Sequence, residues 1–227
     1  MTTAVNSLKK TLHHIVHRIG PKGRTHAGVL KRVASARGLV YFGDVDQHHD
    51  DHEIIRGLTA SASHHDSHYI VGSVGGYDVA IVDRSDGSES HDGKLTTSHV
   101  VVLQIHLKQA HDIPHILIVP RGQKIPHFER TFMTPHVQPV PLSVSDGYTH
   151  EFSSRYNVLT IPTHFEYTKE LIDAKIAQTL AAHFWPIAIE LDDNIMYVYT
   201  DDTKLTTQLV DTLIENGLWL TGQIDSK

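Results

Sequence analysis

The chain has 227 residues, 40% of them hydrophobic and 20% charged, with 20 histidines, no cysteine and a net charge of −6 when histidine is neutral. That length can bury a real core in one large domain or two small ones, and the composition excludes long disorder. The missing cysteine excludes disulfides, thiolate nucleophiles, cysteine zinc sites and Fe–S clusters, and the acidic balance gives no overall basic footprint for nucleic acid or an anionic membrane.

Met1 to Lys10 contains no apolar stretch of the kind a signal peptide needs. The apolar runs are short, Val100–Leu103 being typical, against the roughly 20 residues of a spanning helix. The expectation is a soluble, cytoplasmic chain with no membrane insertion. Val5, Leu8, Leu12, Ile15, Val16 and Ile19 recur at helical spacing, which predicts a helix over 4–19 stopped by Gly20-Pro21. A second helix is expected over 26–37, with Val29, Leu30 and Val33 on one face and Gly38 at its end.

The pattern then changes to strands, at 39–42 and at a short run over Ile54–Leu58. Tyr69–Val74 and Tyr77–Val82 are β-rich runs joined by Gly75-Gly76, a hairpin signal because glycine supplies the positive φ of a tight turn. Residues 83–97 are polar, with Asp86-Gly87 and Asp92-Gly93, and read as a long connection or loop. Strands are expected over 99–107 and 115–119, apolar enough to lie centrally. Residues 120–150 hold Pro120, Pro126, Pro135, Pro139 and Pro141 and read as an irregular connector with a short helix near 127–133. A strand over 156–161 follows. Thr163 and Glu166 then suit a capping box ahead of one long helix to Phe184, buried through Ile172, Ile176, Leu180 and Phe184. A hairpin over 187–191 and 195–199 precedes a helix over 203–215, with Gly217 as its cap. The order lacks regular β-α-β alternation. It predicts an α+β fold: an antiparallel, hairpin-rich sheet with N-terminal helices and two C-terminal helices. Residues 1–122 and 150–227 form two expected units joined by the proline-rich 123–149, with one compact domain as the alternative.

Nine histidines fall in three copies of His-His-x-x-His. In His13-His14-Ile-Val-His17 the imidazoles share one helical face and read as a solvated surface. His48-His49-Asp-Asp-His52 and His64-His65-Asp-Ser-His68 bracket the expected Ile54–Leu58 strand among carboxylates. Imidazole with carboxylate is a ligand set for Zn, Ni, Mn or Fe. The candidate metal ligands are therefore His48, His49, His52, His64, His65, His68, Asp51 and Asp66. The competing reading is solvated histidine-rich loops. His-x-His and His-Glu-x-x-His are absent. Gly72-Ser-Val-Gly75 departs from the nucleophile-elbow pattern, because Val71 stands at the first glycine position.

Arg37–Gly43, Ile70–Asp83, Val100–Leu103, Ile113–Pro120, Phe152–Tyr156 and Met196–Tyr199 resemble an uncharacterised family of bacterial domains of unknown function, over about 37–220. That resemblance implies no activity and no catalytic residues. The functional expectation is a soluble, non-enzymatic binding or regulatory domain. The alternative is a metal-binding protein or metal-dependent hydrolase using the clusters at 48–53 and 64–68. No nucleic-acid partner is expected; a homo-oligomer or protein partner stays open.

Overall fold

The computed structural model describes residues 21–44, 64–89, 95–109, 112–122, 136–201 and 205–227. The helix expected over 4–19, the Ile54–Leu58 strand and the short helix near 127–133 lie outside these residues.

Helix α1 runs Pro21–Arg37 and buries Val29, Leu30, Val33 and Ala34. It stops at Gly38, where the Leu39 amide donates back to the Ala34 carbonyl at 2.8 Å, closing the helix end. Strands β1 (Val40–Gly43), β2 (His65–Val74), β3 (Tyr77–Glu89), β4 (Leu95–His106) and β5 (Ile113–Pro120) follow. The β2–β3 turn is Gly75-Gly76, with φ of 60° and 80°, the positive pair that matches strand twist. The polar stretch expected as a connection over 83–97 is mostly strand. β3 continues to Glu89 and β4 begins at Leu95, with eleven paired positions from Val79↔Ile105 to Glu89↔Leu95. A ladder is built from backbone groups, so polar side chains can extend it.

The proline-rich segment contributes β6 (Gln138–Pro139), which pairs with β7 (Tyr156–Thr160). Helix α2 (His150–Arg155), unexpected from sequence, is capped by Thr149, whose side chain accepts from the Phe152 amide. The single helix expected from Thr163 to Phe184 is divided. A 3-10 turn (Pro162–His164) leads into α3 (Phe165–Leu171), then α4 (Ala174–Thr179), then a π turn (Leu180–Phe184). No side-chain cap bond forms at the start of α3, so the Thr163/Glu166 capping box is not the device used. Asp173 restarts the helix instead, accepting from the Ile176 amide at 2.9 Å. Ile172, Ile176, Leu180 and Phe184 are all buried as expected.

β8 (Ala188–Asp193) and β9 (Ile195–Asp201) form the last hairpin, and α5 runs Thr207–Ile224. Gly217 does not end α5. It sits mid-helix where a Cβ would lie 2.9 Å from Ile105 Cδ1 and 3.0 Å from Leu103 Cδ2, so glycine lets the helix approach the sheet.

Among the described residues nine strands join one antiparallel sheet in the order β1-β2-β3-β4-β9-β8-β5-β7-β6. The fold is α+β. Ile70, Ile81, Leu103, Ile118, Ile189 and Val198 pack with the helices on what we call the helical face. A separate cluster including Val82, Val102, Leu117, Ala188, Tyr197 and Tyr199 occupies the second face. Val100–Leu103 is buried on both faces, which explains its unbroken apolar run.

Candidate functional site

Residues 64–68 open β2, and strand parity decides where their side chains go. Asp66 stands opposite Arg84 and Ser67 opposite Asp83; the register then shifts before Ile70↔Ile81. His68 and Tyr69 therefore face a single β3 position, which makes a bulge. His68 carries the strain of that bulge at φ 58°, a left-handed conformation that costs a non-glycine residue about 1–2 kcal/mol. The extra residue puts Asp66 and Ile70 on opposite faces although they are four apart. Two polar clusters result, one on each face.

On the second face the Arg84 Nε donates to Asp66 Oδ1 at 2.7 Å and Nη2 to Oδ2 at 2.8 Å. Arg84 is 1% exposed. Burial works against its charge, but the hydrogen bonds and charge of Asp66 outweigh that and raise its pKa above the ordinary arginine value. His64 Nε2 lies 4.0 Å from Asp66 Oδ2. Glu190 of β8, fully buried, accepts from the Tyr199 hydroxyl, and His115 Nε2 of β5 lies 2.9 Å from its other oxygen. Thr160 Oγ1 donates to the His115 carbonyl at 2.7 Å. Asp192 is held above the ordinary carboxyl range, by burial first and by the charges of Glu190 and Asp193, with His115 offsetting part.

On the helical face, under α1, His26 Nδ1 lies 3.0 Å from Asp83 Oδ2. Ser67 Oγ donates to the Asp83 carbonyl at 3.1 Å. The Tyr41 hydroxyl lies 2.8 Å from His68 Nδ1, and Lys31 Nζ stands 5.1 Å from the centre of the Tyr41 ring. Burial, then the charges of Asp44 and Asp83, push the Tyr41 phenol up.

The structure thus brings His64 and Asp66 together and carries His68 to the other face. The His65 carbonyl accepts from Ser85 Oγ at 3.4 Å, beside the Ser85 partner in the ladder. His48, His49, Asp51 and His52 lie outside the described residues. Among the described residues no group of three or more His, Asp or Glu is placed to hold a metal ion. Sequence reasoning missed Arg84, Glu190, His115, Tyr199, His26 and Asp83. The available signal was charge inside apolar strands: Glu190 within Ile187–Leu191, and Asp83-Arg84 directly after Val79–Val82. Such residues are seldom buried unless paired.

These features define an α+β protein which, among the described residues, has one nine-stranded antiparallel sheet, helices on one face and paired ionic clusters on both. No family model matches the chain, and no curated protein matches it, consistent with the resemblance to an uncharacterised family. Its fold is similar to that of the mycobacterial trehalose monomycolate transport factor A, TtfA, whose crystal structure superposes with a TM-score of 0.58 at 14% identity, covering 88% of this chain and 92% of that one. The likeness is one of fold. Among the described residues no helix is long and apolar enough to cross a membrane.

Proposed function

We propose that this chain is a non-enzymatic binding or regulatory domain. The observation that carries the reading is that the buried ionic groups pair with each other. Both Asp66 oxygens engage Arg84, both Glu190 oxygens engage Tyr199 and His115, and Asp83 engages His26. A general base needs a lone pair aimed at substrate, and a metal centre needs three or four converging ligands. Among the described residues no group of three or more His, Asp or Glu is placed to hold a metal ion, and the Asp66 and Glu190 oxygens are already engaged by protein partners. The protein of similar fold bears the name of a transport factor, and we extend to this chain only that class of role, an accessory protein that binds.

The test is elemental analysis of untagged protein purified without a metal column, with melting measured before and after chelation. The expected result is protein free of stoichiometric metal, whose melting is unchanged by chelator. Stoichiometric Zn, Ni, Mn or Fe that disappears on substituting His49, His52, His65 and His68 would overturn the reading in favour of a metal-dependent protein.

A further inference from the structure

The two rims of the sheet differ in what they can accept. β6 closes one rim with two residues, and Pro139 within it and Pro141 beyond it have no amide to offer a further strand. β1 forms the opposite rim. It contains no proline, and among the described residues no strand lies beyond it. An edge strand directs alternate amides and carbonyls away from its neighbour, so β1 is the rim at which the ladder can continue.

The side chains of β1 give that rim a chemical character. Val40 and Phe42 are each 54% exposed, large apolar groups left at the surface. Val40 stands opposite Val71, and the Phe42 ring centre lies 6.2 Å from that of Tyr69. Tyr69 and Val71 pack against the second-face cluster, so Val40 and Phe42 carry that apolar face out to the rim. Tyr41, between them, turns to the helical face, where the exposed Lys31 of α1 stands with its Nζ 5.1 Å from the Tyr41 ring centre. Asp44, exposed just past the strand, is close enough for its charge to act on the Tyr41 phenol. Along one strand the rim therefore reads apolar, cationic, apolar, on alternating sides.

We propose that β1 accepts an extended segment of a partner protein as a further strand, the segment carrying one acidic residue between two apolar ones. Main-chain hydrogen bonds supply the attachment, and alternate side chains supply the choice. The apolar residues lie against Val40 and Phe42, and the carboxylate turns toward Lys31. Asp44 limits the acidic character to one residue, because a run of carboxylates would meet its like charge. Area and charge both favour a short segment over a second copy of this chain. Two half-exposed side chains can bury roughly 200 Å², against about 800 Å² per partner in a stable interface. A two-fold antiparallel joint between two β1 rims would also set both Lys31 side chains on the same face of one sheet, where like charges oppose pairing. The inference names the kind of partner for the binding domain proposed above and rests on that reading.

The test is fluorescence anisotropy of a labelled peptide, Thr-Thr-Val-Glu-Val-Thr-Thr, titrated with the full chain at low salt. Two control peptides carry Lys in place of Glu, or N-methyl groups on the three central amides. The Glu peptide is expected to bind roughly fivefold more tightly than the Lys peptide, the most that one exposed ion pair contributes. The N-methylated peptide should not bind, because it lacks the main-chain donors. Phe42→Ala should weaken the Glu peptide roughly fivefold, with unchanged circular dichroism. Lys31→Glu should reverse the order of the Glu and Lys peptides, a change that general loss of structure does not produce. No binding of the Glu peptide, equal binding of the Glu and Lys peptides, undiminished binding after N-methylation, or an unaltered affinity in folded Phe42→Ala would each overturn the proposal. So would a dimer of the full chain in sedimentation that Phe42→Ala abolishes, since the occupant would then be a second copy. Failure here leaves the metal and chelator results above untouched, so the two readings fail separately.

Discussion

Replacing Asp66 tests whether the second face holds a closed ionic unit. Arg84 is almost fully buried, and two of its guanidinium nitrogens bond the two oxygens of one carboxylate at 2.7 and 2.8 Å. A guanidinium cannot shed its proton to escape burial. Asp66→Ala would therefore leave a buried charge without its main counter-charge, at a cost of about 3–5 kcal/mol. For a chain of this size about 2–4 °C of melting temperature corresponds to each kcal/mol, so a fall of about 6–20 °C is expected. Arg84→Met should cost less, because the carboxyl left behind can neutralise by taking up a proton. The double variant removes both charges. It should lose less than the sum of the single variants, with a coupling of about 2–3 kcal/mol in the cycle. Urea unfolding followed by circular dichroism measures all four proteins, provided the slope with denaturant stays constant. An Asp66→Ala loss below about 1 kcal/mol, the range of solvated surface pairs, would refute the reasoning, as would strict additivity.

Gly217→Ala should destabilise by about 1 kcal/mol in the same assay, because crowding against Ile105 and Leu103 outweighs the helix-propensity gain of alanine; a stabilised variant would contradict the close approach. Asp173→Ala removes the α4 cap and should cost about 1 kcal/mol at neutral pH. Burial pushes the Asp173 carboxyl up, but the Lys227 ion pair and the Ile176 amide outweigh it and hold the folded value below the ordinary one. Its stabilisation is thus present above the unfolded pKa, near 4, and is lost as pH falls through the folded value; a wild-type-to-variant gap that stays constant into that range would contradict this. The Tyr156 hydroxyl is buried with no hydrogen-bond partner among the described residues, so Tyr156→Phe should be neutral or stabilising, whereas a loss above about 1 kcal/mol would reveal a bond. Deleting His68 removes the bulge and should turn residues 64–67 to the opposite faces; adding Asp66→Ala to the deletion should then cost almost nothing more, and a full further loss would show that the pair survives.

The parts of the fold legible in sequence are those where local chemistry and packing agree. Gly75-Gly76 announced its hairpin because the turn demands positive φ twice. Val100–Leu103 announced a central strand because both of its faces are buried. The extension of β3 and β4 into polar residues was hidden, since ladder bonds leave no side-chain signature. The burial of Ile172, Ile176, Leu180 and Phe184 was legible as a helical stripe. The interruption within it was not, because packing preserves that spacing across the break while Asp173 caps a new helix. Gly217 was misread for a related reason: glycine at a helix end and glycine at a close contact look alike until the neighbouring element is known.

The candidate site was harder to read, for a reason located at one residue. His64, His65, Asp66 and His68 are close in sequence, and proximity in sequence suggests convergence. In a strand, proximity alternates between two faces, so adjacent ligands diverge and only positions two apart can meet. His64 and Asp66 obey that rule on the second face. His68 would have joined them by parity, but its positive φ inserts an extra residue and turns it toward Tyr41 instead. The partners that complete each cluster come from far along the chain. Arg84 is 18 residues from Asp66, Glu190 is 75 from His115, and Asp83 is 57 from His26. Antiparallel register makes the first two meetings, the packing of α1 on the sheet makes the third, and a histidine count carries no information about either. The charges that matter in this protein are therefore those inserted into apolar strands, where burial requires a partner.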